Sequence, residues 1–132
     1  MVNEWYKALL RPALTPPDWV FGPVWTILYL MIALAIYLYL RGGKDRVRYL
    51  VLLLLAAHLL ANGIWTTIFF RFKSPGWALV DILFLDISLV VLVFAFWKRR
   101  KLASILLIPY LGWVLFATYL NAGFYLLNRA QQ

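Results

Sequence analysis

His58, Asn62, Asn121, Asp81 and Asp86 are the residues whose chemistry stands out, because each falls inside a long apolar run. His58, Asn62, Trp65 and Phe69 follow the spacing i, i+4, i+7, i+11, so a helix through them carries all four on one stripe. Tyr110, Trp113, Ala117, Asn121, Phe124 and Asn128 repeat the pattern near the C-terminus, and Phe21, Trp25 and Tyr29 supply a third face of rings. Hydrocarbon gives polar groups nothing to bond with, so such stripes point toward protein. Two chemistries fit them. One is interhelical hydrogen bonding that glues helices together; the other is a pocket for a flat, mostly apolar ligand with a few polar handles.

Asp86 lies eleven residues past Pro75, and Asn62 lies ten residues before Phe72 with His58 one turn further. At helical rise these are depths of about 16 Å and about 15 Å. A carboxylate at mid-bilayer is costly and seeks a partner, so Asp86 is expected to hydrogen-bond Asn62 or His58. That pair is either buried glue or an Asp–His proton path. Enzyme signatures are lacking: one His and two intramembrane Asp make no set of metal ligands. No G-x-S-x-G or glycine-rich phosphate loop occurs, and the absence of cysteine removes thiolates and disulfides. The expectation is a protein that is not an enzyme, holds no metal and requires no cofactor.

These residues must be positioned by membrane helices. The 132-residue chain is 65% hydrophobic and 14% charged, too apolar for a soluble domain of this size. Four stretches are long enough to cross a bilayer, at about 19–40, 47–70, 76–97 and 102–127. Gly42-Gly43, Pro75-Gly76 and the basic run 98–101 punctuate them. The predicted fold is a single all-α transmembrane domain, 1–132, with four helices as antiparallel neighbours. A loop precedes them, because Arg11-Pro12 and Pro16-Pro17 cannot be helical. The start, MVNEWYKALLRP, does not read as a signal peptide.

Net charge is +8. Arg41, Lys44, Arg46, Arg48 and Lys98, Arg99, Arg100, Lys101 lie on one side; Lys7, Arg11, Arg71, Lys73 and Arg129 lie on the other. The positive-inside bias predicts loops 41–48 and 98–101 in the cytoplasm and both termini outside. No basic face on a soluble fold points to nucleic acid. Ala57 and Ala61 could bring helices close, within the bundle or in a homodimer.

The segment WYKALLRPALTPPDWVFGPVWTILY (5–29) resembles the translocator protein / tryptophan-rich sensory protein family, whose first loop and second helix read roughly WY-x-x-L-x-K/R-P-x-W-x-P-P-x-W-V-F-x-x-x-W-T-x-L-Y. AAHLLANGIWTTIFF resembles the family's third helix, with His58 where Gln is usual. ALVD, ending at Asp81, resembles the start of the fourth, and IPYLGWVLFATYLNAGFYLLN resembles the fifth. The resemblance covers nearly all of residues 5–128. It implies a membrane protein, often dimeric, that binds porphyrins or, in animal mitochondria, cholesterol. It also implies a pocket under the loop, with Trp25, Tyr29, Asn62, Trp65, Phe69, Ala117, Leu120 and Asn121 as ligand-binding residues. The expected protein is a receptor or carrier for a tetrapyrrole or sterol, in the cytoplasmic membrane of a prokaryote. Asn62 and Asn121 would orient the ligand's polar edge, and the Trp5–Trp19 loop would act as a lid. The family's first helix has no counterpart here, so the first two spans are expected to flank an open side. Leu14 and Ala122 replace tryptophans to which light-dependent porphyrin breakdown has been linked, which argues against that activity. Other readings are a small multidrug-type proton-coupled exporter and a ligand-free assembly factor. Leu120, Tyr125 and Arg129 also form a weak cholesterol-type pattern.

Overall fold

The computed structural model describes residues 4–42 and 46–128; Lys44 and Arg129 of the charge and cholesterol-type readings lie outside the described residues. A short helix α1 (Glu4–Ala8) leads through an extended segment to a 3-10 turn at Asp18–Val20. Four long helices follow: α2 (Phe21–Leu40), α3 (Arg46–Thr66, continued as a π turn over Thr67–Arg71), α4 (Pro75–Arg99) and α5 (Lys101–Asn128). All four are long and apolar enough to cross a membrane, and the described residues contain no strand. The expected spans match these helices to within three residues at each end.

The hydrophobic period explains the packing. α4 buries Ala78, Ile82, Leu85, Leu89, Leu92 and Phe96, spaced at three and four, and α5 answers with Ala103, Leu107, Tyr110 and Val114. Ala78 and Ala103 are fully buried, and small side chains let helix backbones approach closely. The α4–α5 pair is the spine of the bundle; α3 packs on α4 and α2 packs on α5.

Two expectations need correction. Connectivity led to consecutive spans being expected as neighbours, yet α2 and α3 hardly touch, in keeping with the open side that the resemblance implied between them. The inward stripe of α2, Leu28, Ile32, Ala35 and Tyr39, is buried elsewhere: Tyr39 stacks on Phe96 of α4 with ring centroids 4.4 Å apart. The Arg99 Nε also donates to the Tyr39 carbonyl, at 3.1 Å. These contacts hold the end of α2 against α4, which leaves an opening between α2 and α3. The second correction concerns the loop, whose residues 4–8 are helical because the prolines begin only at Pro12.

The end of α3 widens into the π turn, closed by Phe72 N–H donating to the Thr67 carbonyl at 3.0 Å. Phe69 and Phe70, adjacent in sequence, are both buried there. Ser74 then caps α4 by accepting from Trp77 N–H at 3.3 Å, with Pro75 at the first helical position.

Candidate functional site

The opening between α2 and α3 is crossed by one chain of hydrogen bonds that reaches every long helix. Tyr29 on α2 donates its hydroxyl to Asn62 Oδ1 on α3. Asn62 Nδ2 donates to the Tyr110 oxygen on α5 at 2.6 Å, and that oxygen lies 2.8 Å from His58 Nε2. His58 Nδ1 in turn lies 2.6 Å from Ser88 Oγ on α4, which donates to the Leu85 carbonyl. With one proton per donor the chain has a single consistent direction. Tyr110 O–H donates to Nε2, and the neutral Nδ1–H tautomer of His58 donates to Ser88.

The expected Asp86–His58 or Asp86–Asn62 bond is therefore not formed. Both ring nitrogens of His58 are engaged by Ser88 and Tyr110, and the Asp86 Oδ2 accepts from Thr118 of α5 at 2.8 Å. The reason is angular. Asp86 sits two residues before Ser88, about 160° around the helix, so the two cannot face the same neighbour. Ser88 meets α3 and Asp86 meets α5.

Two adjoining clefts flank the opening. The first lies beneath the N-terminal segment, among Phe21, Trp25, Trp65, Phe69, Trp113 and Phe124, and is closed above by Tyr6. The second lies one turn nearer the bilayer centre, among Tyr29, Asn62, Thr66, Ile82, Leu85 and Val114. Trp25, Trp65 and Ala117 line both. The clefts enclose about 450 and 470 Å³ only when the parts open to the outside are counted. They are narrow and lined by rings that pack on one another: Trp25 stacks on Tyr29 one turn along α2 at 5.5 Å, and Trp65 on Phe69 one turn along α3 at 5.1 Å. Trp113 stands edge-on to Trp25 at 6.3 Å and 89°.

Each of the eight site residues expected from sequence lines one of these clefts. Trp25, Trp65 and Ala117 line both, Phe69, Leu120 and Asn121 the first, and Tyr29 and Asn62 the second. Tyr29 is 46% exposed on the open side. The amides already have protein partners: Asn121 accepts from Trp65 Nε1 at 2.9 Å and donates to the Pro75 carbonyl at 2.8 Å. A primary amide has two N–H donors and two lone pairs, so either asparagine has capacity to bond a ligand as well. His58 and Asp86 line neither cleft, and among the described residues no cluster suits a metal ion.

Sequence reasoning missed several members. Trp113 stands on the α5 stripe but outside the expected set, and its Nε1 is buried in the structure without a hydrogen-bond partner. Tyr110 is the hub of the polar chain, a role its place on the stripe could have suggested. Tyr6 is 3% exposed, packed among Phe69, Phe70 and Phe124. Burial holds its phenol above the usual tyrosine range, although the Arg11 guanidinium, 4.9 Å from the ring centroid, pulls the other way.

The N-terminal segment that carries Tyr6 is tied down by α5. Asn128 Oδ1 accepts from Leu10 N–H and its Nδ2 donates to the Leu10 carbonyl, each at 2.9 Å. Tyr119 donates its hydroxyl to the Ala13 carbonyl at 2.7 Å. Gly123 lets Pro12 lie flat on the helix, since a Cβ at 123 would come within 2.5 Å of the proline ring. Leu14, where the resembling family has tryptophan, points away at 81% exposure, with φ of 69°.

Comparison with known proteins places this chain in a family. The TspO/MBR family profile matches residues 1–126. The tryptophan-rich protein TspO of Archaeoglobus fulgidus is 40% identical over 130 residues, 96% of this chain and 82% of that protein. The human translocator protein is 39% identical over 120 residues, 89% of this chain and 71% of its own length. The tryptophan-rich sensory protein of Cereibacter sphaeroides is 34% identical, covering 90% of this chain and 73% of that one.

Proposed function

Because this chain belongs to the TspO/MBR family of membrane proteins, we propose that it is a membrane-embedded receptor or carrier for flat, largely apolar ligands. Porphyrin-type tetrapyrroles are the first class and sterols the second. The observation that carries the proposal is the pair of narrow slots lined by indole and phenyl rings of α2, α3 and α5, which meet over the small side chain of Ala117. A planar guest stacks on rings with little loss of side-chain freedom, and aromatic pairs gain about 0.5–1.5 kcal/mol beyond area burial. Asn62, Asn121 and the buried Trp113 Nε1 offer polar contacts at the edges of the slots. A water-sized sphere finds little room in either slot, so a guest enters as the rings part and the N-terminal segment lifts. The names of relatives, translocator and sensory protein, support a carrier or sensor rather than an enzyme. Archaeal and bacterial relatives support a prokaryotic cytoplasmic membrane, and a homodimer remains part of the proposal.

The test is quenching of tryptophan fluorescence by protoporphyrin in detergent or nanodiscs, for the parent protein and for Trp65→Phe and Asn62→Ala. Saturable quenching that weakens in both variants supports the proposal. Equal, weak quenching in all three leaves the ligand-free assembly factor ahead. Asp86 faces α5 and lies outside both clefts, so nothing in the site favours the proton-coupled exporter.

A further inference from the structure

At the opposite end of the bundle a groove runs between the end of α2, the start of α3 and the last turns of α4, enclosing about 1110 Å³ including its open part. Its lining is apolar along the exposed side chains of Val47, Val91 and Phe94, and carries Lys98 and Arg99 at one end, with Tyr39 buried behind Arg99. On α4 the positions 91, 94 and 98 share one face, so the groove passes from hydrocarbon contacts to a cation over about 10 Å. Arg99 is held in place there. Its Nε donates to the Tyr39 carbonyl, and its guanidinium carbon lies 4.8 Å from the Tyr39 ring centroid. Gly42 makes room for this, because a Cβ at 42 would come within 2.8 Å of Arg99 Nε. The carbonyl-rich ends of α2 and α4 meet here and would repel an anion; Arg99 covers the Tyr39 carbonyl. In sequence the segments 41–48 and 98–101 carry eight cations against the single carboxylate of Asp45.

We propose that this groove is a binding site for an anionic phospholipid, with an acyl chain along Val47, Val91 and Phe94 and the headgroup phosphate at Lys98 and Arg99. Charge complementarity selects the occupant: a phosphate suits a fixed guanidinium beside an ammonium. The apolar lining distinguishes a lipid from a free phosphate ion, and basic pockets between membrane helices recognise such headgroups. The site shares no residue with the aromatic clefts and stands independently of the ligand proposed for them.

The experiment is native mass spectrometry of the full chain, released from micelles containing equal amounts of phosphatidylglycerol and phosphatidylcholine. The expected result is selective retention of one phosphatidylglycerol. In Lys98→Gln/Arg99→Gln the selectivity falls on the order of tenfold. Arg41→Gln/Arg100→Gln removes the same charge at the same end but outside the groove, and retains the selectivity. Lys98→Gln alone changes an exposed side chain and gives a several-fold fall, which keeps the test sound if loss of Arg99 unsettles the fold. Equal retention of both lipids by the parent chain, or equal losses in both double variants, overturns the site in favour of diffuse surface charge. Displacement of the lipid by millimolar inorganic phosphate or glycerol 3-phosphate overturns the lipid reading in favour of a free-phosphate site.

Discussion

Removing one oxygen, in Tyr110→Phe, tests the polar chain that joins the four helices. Its hydroxyl accepts from Asn62 Nδ2 at 2.6 Å and faces His58 Nε2 at 2.8 Å. All three residues are buried, Tyr110 and His58 almost completely, so solvent replaces the lost bonds poorly. Leaving a buried donor or acceptor without a partner costs about 1–3 kcal/mol. Hydrogen bonds between membrane helices average only about 0.6 kcal/mol, with a maximum near 1.7, because the unfolded chain in lipid finds other partners. Two bonds at a site this enclosed lie toward the upper value, so the expected loss is about 2–3 kcal/mol. Tyr29→Phe is the reference: it removes one bond at a half-exposed side chain, and the expected cost is about 0.6 kcal/mol. The assay is unfolding by sodium dodecyl sulfate in mixed micelles, followed by loss of helix. A Tyr110→Phe cost no larger than that of Tyr29→Phe would refute the view that the chain is a cooperative buried network. A cycle with His58→Leu should return a coupling of about 1–2 kcal/mol, since the two residues share one bond.

Asn128→Ala removes three bonds, two of them to Leu10, and Gly123→Ala forces the Pro12 ring off α5. Both should loosen the N-terminal segment, read as faster proteolysis near residues 10–15, whereas Gly112→Ala, which meets no atom, should leave it unchanged. Ala117→Leu places a larger side chain where the two clefts meet, so protoporphyrin quenching should fall at least tenfold with unfolding little altered. Tyr6 has a raised folded-state pKa, so its contribution is complete below the unfolded value near pH 10 and declines above it. Docking of the segment should therefore weaken as the pH rises above about 10 in the parent chain, and Tyr6→Phe should flatten that part of the profile. Thr118→Val leaves Asp86 without its donor and should destabilise by about 1–3 kcal/mol, while Thr118→Val/Asp86→Leu should recover most of it.

The membrane helices and their boundaries were legible because hydrophobic runs, glycine and proline punctuation and charged flanks are local properties. So was the inward direction of the stripes. His58, Asn62, Tyr110 and Asn121 are buried because lipid offers no partner to a polar group, a rule that needs no knowledge of neighbours. What they bond to was not legible. Asp86 and Ser88 are two residues apart, and a rotation of about 160° decides that one meets α5 and the other α3. The α2–α3 opening could not be read from connectivity, since a short turn permits neighbours to pack. Only the family resemblance implied it, and in the structure α2 packs along α5 with its end pinned to α4 by the Tyr39–Phe96 stack and the Arg99 bond. The lid's seat depends on Leu10 meeting Asn128, 118 positions away, and on a missing Cβ at Gly123. Periodicity and composition determined which residues turn away from lipid. Only tertiary packing, which sets the rotation and pairing of helices, decided which of them share a cleft.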